Sequence, residues 1–380
     1  MPNSISPIGQ PIRGDFFGVS GTRIPDDADI VFSAGGTTIT VRPAVRRPHF
    51  VFADALPNNL RLGLNSIQLR SASWRSNTVN TVVLAGAAKI RRALYTGRPE
   101  RTYTIAFIAN PAYAPAGGGA PIADPIMANR ALYQATVAQC MQQLLAVTED
   151  VLTRGDLDSK IRFVSVFHDN MPADPANTLA EELAPNIIMP VRNAIQPFLK
   201  RHDETADVAF VISDHPTHTR ASAYATTDRS GSSISYTFDG DRRVHGKYAR
   251  IPGTAALHIA LNQLTTLHEF GHAASDYSNG HITDLYDDAG TGTTFTINKK
   301  FKAAAGDAVP DEFATYQRNS YLSDPSRDGL NYPADWTSYH PALIDAARPN
   351  LMDAYNSQRC RLDRLTYAWL RDRLSAKVNR

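Results

Sequence analysis

The pattern of hydrophobic and polar positions changes once along the chain, near residue 86. Before that point, short β-prone runs such as Ile30-Val31-Phe32, Thr38-Ile39-Thr40-Val41 and Ser66-Ile67-Gln68-Leu69 sit between Gly, Pro and Asn turns, a spacing that predicts a small all-β sandwich. Beyond it, Tyr103, Ile105 and Phe107 alternate as in a strand, and Ile126 to Leu152, just after Pro125, has helical length and pattern. Ile161 to Phe167 and Val208 to Ile212 read as buried strands, and Ala221 to Thr227 and Ser232 to Phe238 as two further β-prone runs separated by Asp228-Arg229-Ser230-Gly231. Thr254 to Leu267 contains neither Pro nor Gly. Leu257, Leu261, Leu264 and His268 form one stripe at helical spacing, and Ala260, Leu267, Phe270 and Ala274 form a second. Two apolar stripes predict a buried helix, with Thr254 after Pro252-Gly253 as its N-cap. The chain is therefore expected to be multidomain: an all-β sandwich over 1–86, a basic link over 87–100, and an α/β (α+β) domain over 101–380.

Length supports this division, since 380 residues exceed one ordinary domain. A net charge of +2 without a long basic run gives no case for nucleic acid. Arg359, Arg361, Arg364, Arg371 and Arg373 alternate with Leu365, Tyr367, Trp369 and Leu370, which predicts an amphipathic closing helix with a solvated face. No stretch approaches the roughly 20 apolar residues of a membrane span, and the first thirty residues lack an apolar signal core. Cys140 and Cys360 are too few and too far apart for a zinc knuckle; one disulfide or two buried thiols are both open.

Chemistry enters at Leu267-His268-Glu269-Phe270-Gly271-His272, which holds the pattern H-E-x-x-H. On a helix, histidines four residues apart project from one face and can bind one Zn²⁺. Glu269, offset by about 100°, stays out of the coordination set but reaches the water such an ion activates, where it can act as general base. The pattern thus points to metal-assisted hydrolysis, most often of a peptide bond. A third protein ligand is needed. The spacing H-E-x-x-H-x-x-G-x-x-H would place it at Ser278 and its glycine at Ser275, so that strict form fails. His281 and Asp284 follow the turn signal Asn279-Gly280 and both stay open as the third ligand, with Asp287 next. Among the other histidines, His215 and His218 are read as a polar loop because Pro216 lies between them. His168 could line the cleft, and His258 is expected to pack on the central helix.

His268-Glu269-Phe270-Gly271-His272 and the segment Ile282-Thr283-Asp284-Leu285-Tyr286-Asp287 resemble the IgA-peptidase-like zinc metallopeptidases, a metzincin-like family, with about five residues inserted near Ser275 to Asn279. The resemblance implies a zincin fold, zinc held by His268, His272 and Asp284, and a protein or peptide substrate. Gly280 to Tyr286 is also similar to an aspzincin element whose aspartate binds zinc. Pro349-Asn350-Leu351-Met352-Asp353-Ala354-Tyr355 resembles a methionine turn, with Met352 beneath the metal and Tyr355 as a hydroxyl near it; Tyr277 and Tyr286 compete for that role. The family also implies an edge strand above the helix that pairs with the substrate backbone, for which Ser222 to Thr226 is the nearest segment.

In the amino-terminal part, Ser6-Pro7-Ile8-Gly9, Val19-Ser20-Gly21, Leu62-Gly63-Leu64-Asn65-Ser66-Ile67 and Ser76-Asn77 resemble immunoglobulin-like IPT/TIG domains, which bind or space rather than catalyse. The expectation is a monomeric zinc metalloendopeptidase, secreted or exported without an evident signal peptide, or else cytoplasmic. Its sandwich would dock to a substrate, a surface or a secretion apparatus, and the rest of the chain would then fold without it. The competing readings are a catalytically silent binding or adhesion protein on the same fold, against which Glu269 speaks, and a zinc hydrolase acting on cell-wall peptides.

Overall fold

The computed structural model describes residues 3–85, 90–92, 102–146, 151–152, 157, 160–183, 185–230, 248–262 and 264–275. It also describes 280–282, 295–298, 318–319, 336–339, 351–352, 360, 362, 367, 370, 371, 374, 375, 377 and 378. The first part consists of eight strands: β1 (Ile5–Ile8), β2 (Phe17–Gly21), β3 (Asp29–Ala34), β4 (Thr37–Val41), β5 (Val45–Arg47), β6 (Phe50–Ala53), β7 (Gly63–Arg70) and β8 (Val79–Val83). They form two antiparallel sheets, ordered β1-β2-β6-β5 and β4-β3-β7-β8. Alternate residues of each strand point inward, so Phe17, Val19 and Val51 of the first sheet meet Ile30, Phe32, Ile67 and Leu69 of the second in one core. Phe17 and Phe32 face each other across it at 5.8 Å.

A mixed α/β region follows. Its strands and helices run β9 (Ile90–Arg92), β10 (Tyr103–Ala109), β11 (Ala112–Ala114), β12 (Ile122–Ala123), α1 (Arg130–Ala146), β13 (Ile161–Val166), β14 (Thr178–Leu183), β15 (Ile187–Pro190), α2 (Arg192–Lys200), β16 (Val208–Ser213), β17 (Ser222–Tyr224), β18 (Thr227–Ser230), β19 (Tyr248–Ile251), β20 (Gly253–His258) and α3 (Thr265–Ala274). The main sheet has the order β17-β20-β16-β10-β13-β9, in which β10, β13, β16 and β20 are parallel and the two edge strands antiparallel. The segment read as a link thus supplies β9, an edge of this sheet. A smaller sheet runs β12-β11-β14-β15, and β18 pairs with β19. Four short strands, β21 (Gly280–Ile282), β22 (Phe295–Asn298), β23 (Arg318–Asn319) and β24 (Trp336–Tyr339), form a sheet ordered β21-β22-β24-β23.

Both faces of the main sheet are buried, which is why its central strands read as unbroken apolar runs. Ile105, Phe107, Phe163, Phe210, Ile212 and Leu257 face α1 and α3. Ala106, Ile108, Val164, Val211 and Ala256 face the other way, into a cluster with Ile195, Phe198 and Leu199 of α2. Phe107 stacks on Phe163 at 5.9 Å and on Phe210 at 5.5 Å, tying three neighbouring strands together. The chain is helical at the described positions from Tyr367 to Val378 but not at Cys360 and Leu362, where the predicted closing helix begins, and Leu370, Leu374 and Val378, one turn apart, enter the α1/α3 cluster. Arg371 donates to the Val151 carbonyl at 3.1 Å, and Lys377 pairs with Asp207 at 3.1 Å. Among the described residues, no helix is long and apolar enough to cross a membrane.

One expectation is overturned. Residues from Thr254 to His258 are a central strand, not the first turns of a helix, and Thr254 caps nothing: it pairs with Ala209 on one side and Tyr224 on the other. His258 accordingly closes a strand rather than packing on a helix. A short apolar run buried on both sides carries no period that separates strand from helix. Gly253 marks the difference, because a Cβ there would come within 1.8 Å of the Ala273 carbonyl oxygen at the end of α3. The interval Asp228 to Ser230, read as a separator, belongs to β18.

The sandwich shares a core with the α/β region. Its first sheet is buried on both faces: all of β6 is buried, and while Val51 and Ala53 point into the sandwich, Phe50 and Phe52 join Ile8, Phe16 and Val45 in the core shared with α1 and α3. Arg47 donates to the Leu145 carbonyl at the end of α1, whose last turn has no basic residue of its own, and Gln142 of α1 donates to Asp54 at 3.0 Å. A chain beginning near Arg101 would expose this aromatic face to water. Phe52→Ala is expected to destabilise the whole protein by about 3 kcal/mol or more, with both parts melting in one transition by calorimetry. A separate transition for the α/β region, unshifted by the substitution, would show that the sandwich is a passive neighbour.

Candidate metal centre

Helix α3 carries the H-E-x-x-H residues, and all ten of its residues are buried. It lies against β20 and α1, with Phe270 edge-on to Tyr103 at 6.2 Å. His268 and His272, at 1% and 8% exposure, face each other with Nε2 atoms 3.2 Å apart, and Glu269 between them is 4% exposed. His268 Nδ1 lies 2.9 Å from the Leu351 carbonyl oxygen. A carbonyl only accepts, so Nδ1 carries the proton, and the lone pair of His268 is on Nε2, directed at His272.

This donor set fits zinc. Two imidazole nitrogens bound at about 2.0–2.1 Å to one tetrahedral ion stand roughly 3.3 Å apart, close to the separation present. A backbone carbonyl holding the outer nitrogen of a histidine is the usual way a ligand's tautomer and ring plane are fixed. Met352, next to that carbonyl, packs directly under the helix: a Cβ on Gly271 would meet its Sδ at 2.9 Å. Gly271 thus leaves room for the thioether end of Met352 against the helix, at a helix-interior position where glycine costs about 1 kcal/mol against alanine. Leu351 and Met352 thus lie against α3.

The end of α3 is tied to the sheet edge. Thr226, just after β17, donates its N–H to Ser275 at 3.0 Å and its hydroxyl to the Ala273 carbonyl at 3.2 Å. Segment 222–226 does follow the edge of the main sheet above the helix, with β17 antiparallel to β20. The outer side of its beginning is occupied, since Ile188 accepts from Ser222 and donates to Arg220. An extended chain adding to this edge would pair from Ala223 onward.

Of the third-ligand residues, His281 has its backbone in β21, paired with Thr296 of β22. Asp284, Asp287, Tyr277, Tyr286 and Tyr355 lie outside the described residues. Cys140 and Cys360 are both thiols, not joined in a disulfide, and buried in the α1/α3 core, and burial pushes the Cys140 thiol up to about 12.

A second group joins His215 and His218, whose spacing could bind metal but which read as a polar loop, to a glutamate that the sequence did not point to. Glu182 of β14 meets His215 and His218 of the loop after β16, their ligand atoms all within 4.8 Å of one another, a cluster that could hold a metal ion. Nothing local in the sequence links a glutamate to histidines more than thirty positions away. His215 is the loop's organiser: its Nδ1 accepts the N–H groups of Thr217 at 3.1 Å and His218 at 2.9 Å. Its proton is consequently on Nε2, 2.9 Å from Glu182, and its ring lies against Tyr113 at 4.2 Å. To bind a metal through Nε2, His215 would have to lose that proton while Nδ1 still accepts two bonds, an imidazolate that a neutral-pH loop does not favour. The Ala116 N–H lowers the Glu182 pKa first, with His215 and His218 acting the same way against burial. His258 is fixed similarly, its Nδ1 accepting from Ala260 and its Nε2 donating to the His215 carbonyl; burial pulls its pKa down. His168 packs edge-on against His202, just after α2.

No protein-family model and no curated protein matches this chain.

The two histidine groups differ in a measurable way. His268→Ala or His272→Ala is expected to abolish zinc retention at moderate chelator concentration, whereas His218→Ala leaves the zinc-to-protein ratio unchanged. In the same assay the third ligand separates: whichever of Asp284→Ala and His281→Ala removes a ligand loses most of its metal, and the other weakens by at most about 10–100-fold. Full zinc in both would move the ligand elsewhere, first to Asp287.

Proposed function

We propose that the chain is a zinc-dependent metalloendopeptidase of metzincin-like fold, with an immunoglobulin-like sandwich built into its core. The observation that carries this reading is the His268–His272 pair, whose spacing matches the bite of one tetrahedral ion and whose tautomer the Leu351 carbonyl fixes, with a buried carboxylate on the same helix. Zinc bound there supplies a Lewis acid and lowers the pKa of a water to about 7. The protein's own residues do the rest. Glu269 takes the proton of the attacking water at its carboxylate and delivers it to the leaving amine. The backbone from Ala223 to Thr226 aligns an extended peptide by strand addition above the helix.

Glu269 weighs against a silent binding protein. The H-E-x-x-H chemistry needs a carboxylate beside the histidine pair, and Glu269, at 4% exposure, stands on the same helix. Glu269→Ala is expected to keep stoichiometric zinc and lose about a hundredfold or more in turnover of an unstructured protein substrate. Undiminished turnover with zinc still bound would end the assignment, and cleavage of peptidoglycan but not of unstructured protein would transfer it to cell-wall peptides.

A further inference from the structure

Helix α3 begins without a cap of its own. Leu264, the residue before its first turn, has no side-chain acceptor, and the N–H of Thr266, at the second position of the helix, has no partner within the helix itself. The partner comes from α1. Gln143 Oε1 accepts the Thr266 N–H at 2.8 Å, and Gln143 Nε2 donates to the Asn262 carbonyl at 2.8 Å. One side chain, 5% exposed, therefore holds both the last turn of the approach and the first turn of the helix. Thr265 Oγ1 completes the turn by accepting from the Asn262 N–H at 3.2 Å. Cys140, one helical turn before Gln143 and so on the same face of α1, lies beside Thr266 as well.

We infer that Gln143 is a positioning residue: it serves as the N-cap of α3 from a different helix and sets the axial position of His268, two residues beyond Thr266. This inference rests on the proposed zinc function for its consequence, though not for its geometry. A primary amide suits the task because one end must accept from an N–H and the other donate to a carbonyl; a hydrocarbon of the same length does neither. A carboxylate keeps the acceptor and favours the positive end of the helix. The same last turn of α1 receives Arg47 at the Leu145 carbonyl and holds Asp54 through Gln142, so the clamp also connects the sandwich to the start of α3.

The test compares Gln143→Met, Gln143→Glu and Val137→Ala, the last a buried α1 residue that removes apolar contact and no hydrogen bond. Two readouts are taken on the full chain: amide hydrogen exchange of the segment holding Thr266 to His268 in the zinc-free protein, and zinc affinity against a competing chelator. Gln143→Met is expected to speed exchange in that segment and weaken zinc binding about tenfold. Gln143→Glu keeps the acceptor for Thr266 but loses the donor to the Asn262 carbonyl, so it should also speed exchange and weaken zinc binding, and Val137→Ala should leave the affinity unchanged. Equal effects from Gln143→Met and Val137→Ala would reduce Gln143 to ordinary core packing and overturn the inference. Should Gln143→Met fail to fold, parent-like exchange and zinc affinity in Gln143→Glu, which removes the bond to Asn262, would overturn it as well. If the parent chain bound no zinc, the proposed function would fall while the exchange comparison still decided the role of Gln143.

Discussion

A helix of ten buried residues that carries His268, Glu269 and His272 has to have its ends satisfied by other elements, and much of the architecture follows from that constraint. At the start of α3, Gln143 and Asn262 receive or provide the bonds that Leu264 cannot. At its end, the His272 carbonyl accepts from Ser275 and the Ala273 carbonyl from Thr226, while Gly253 lets β20 pass against that same carbonyl without a side chain between them. Met352 closes the underside at Gly271. Each contact comes from a different part of the chain, and the imidazole pair sits at their common centre.

The sandwich takes part in the same constraint. Phe50 and Phe52 leave the sandwich's own core and enter that of α1 and α3, so the aromatic surface is buried only when the two parts are together. α1 is the beam between them, held by Arg47 and Asp54 at one side and gripping α3 through Gln143. Any role of the sandwich toward an outside partner would use its second sheet, where Leu64 and its cross-strand neighbour Val82 are exposed at 68% and 40%.

Two clusters contain histidines at ligand distance, and proton placement tells them apart. His268 gives its Nδ1 proton to a carbonyl and presents a lone pair inward; His215 spends its lone pair on two backbone N–H groups and presents a proton to Glu182. The first arrangement is that of a ligand, the second that of a loop cap.

The sequence by itself determined the two-part organisation, the α/β character of the second part and the histidine pair of α3. Apolar alternation and helical spacing are local, and H-E-x-x-H needs only one helical turn to bring its histidines together. It did not determine the state of residues 254–258, because Ala255-Ala256-Leu257 has the same composition in a buried strand as in a buried helix, and only pairing with β16 and β17 selects the strand. Nor did it reveal the attachment of the sandwich: Phe50-Val51-Phe52 reads as one apolar run, and that its two sides enter different cores is decided by what α1 places opposite. Gln143 and Glu182 are ordinary polar residues in the sequence, far from the residues they hold. Their roles exist only because the fold brings α1 to the start of α3 and β14 beside the loop after β16, and hydrogen bonds across such separations leave no local pattern to read.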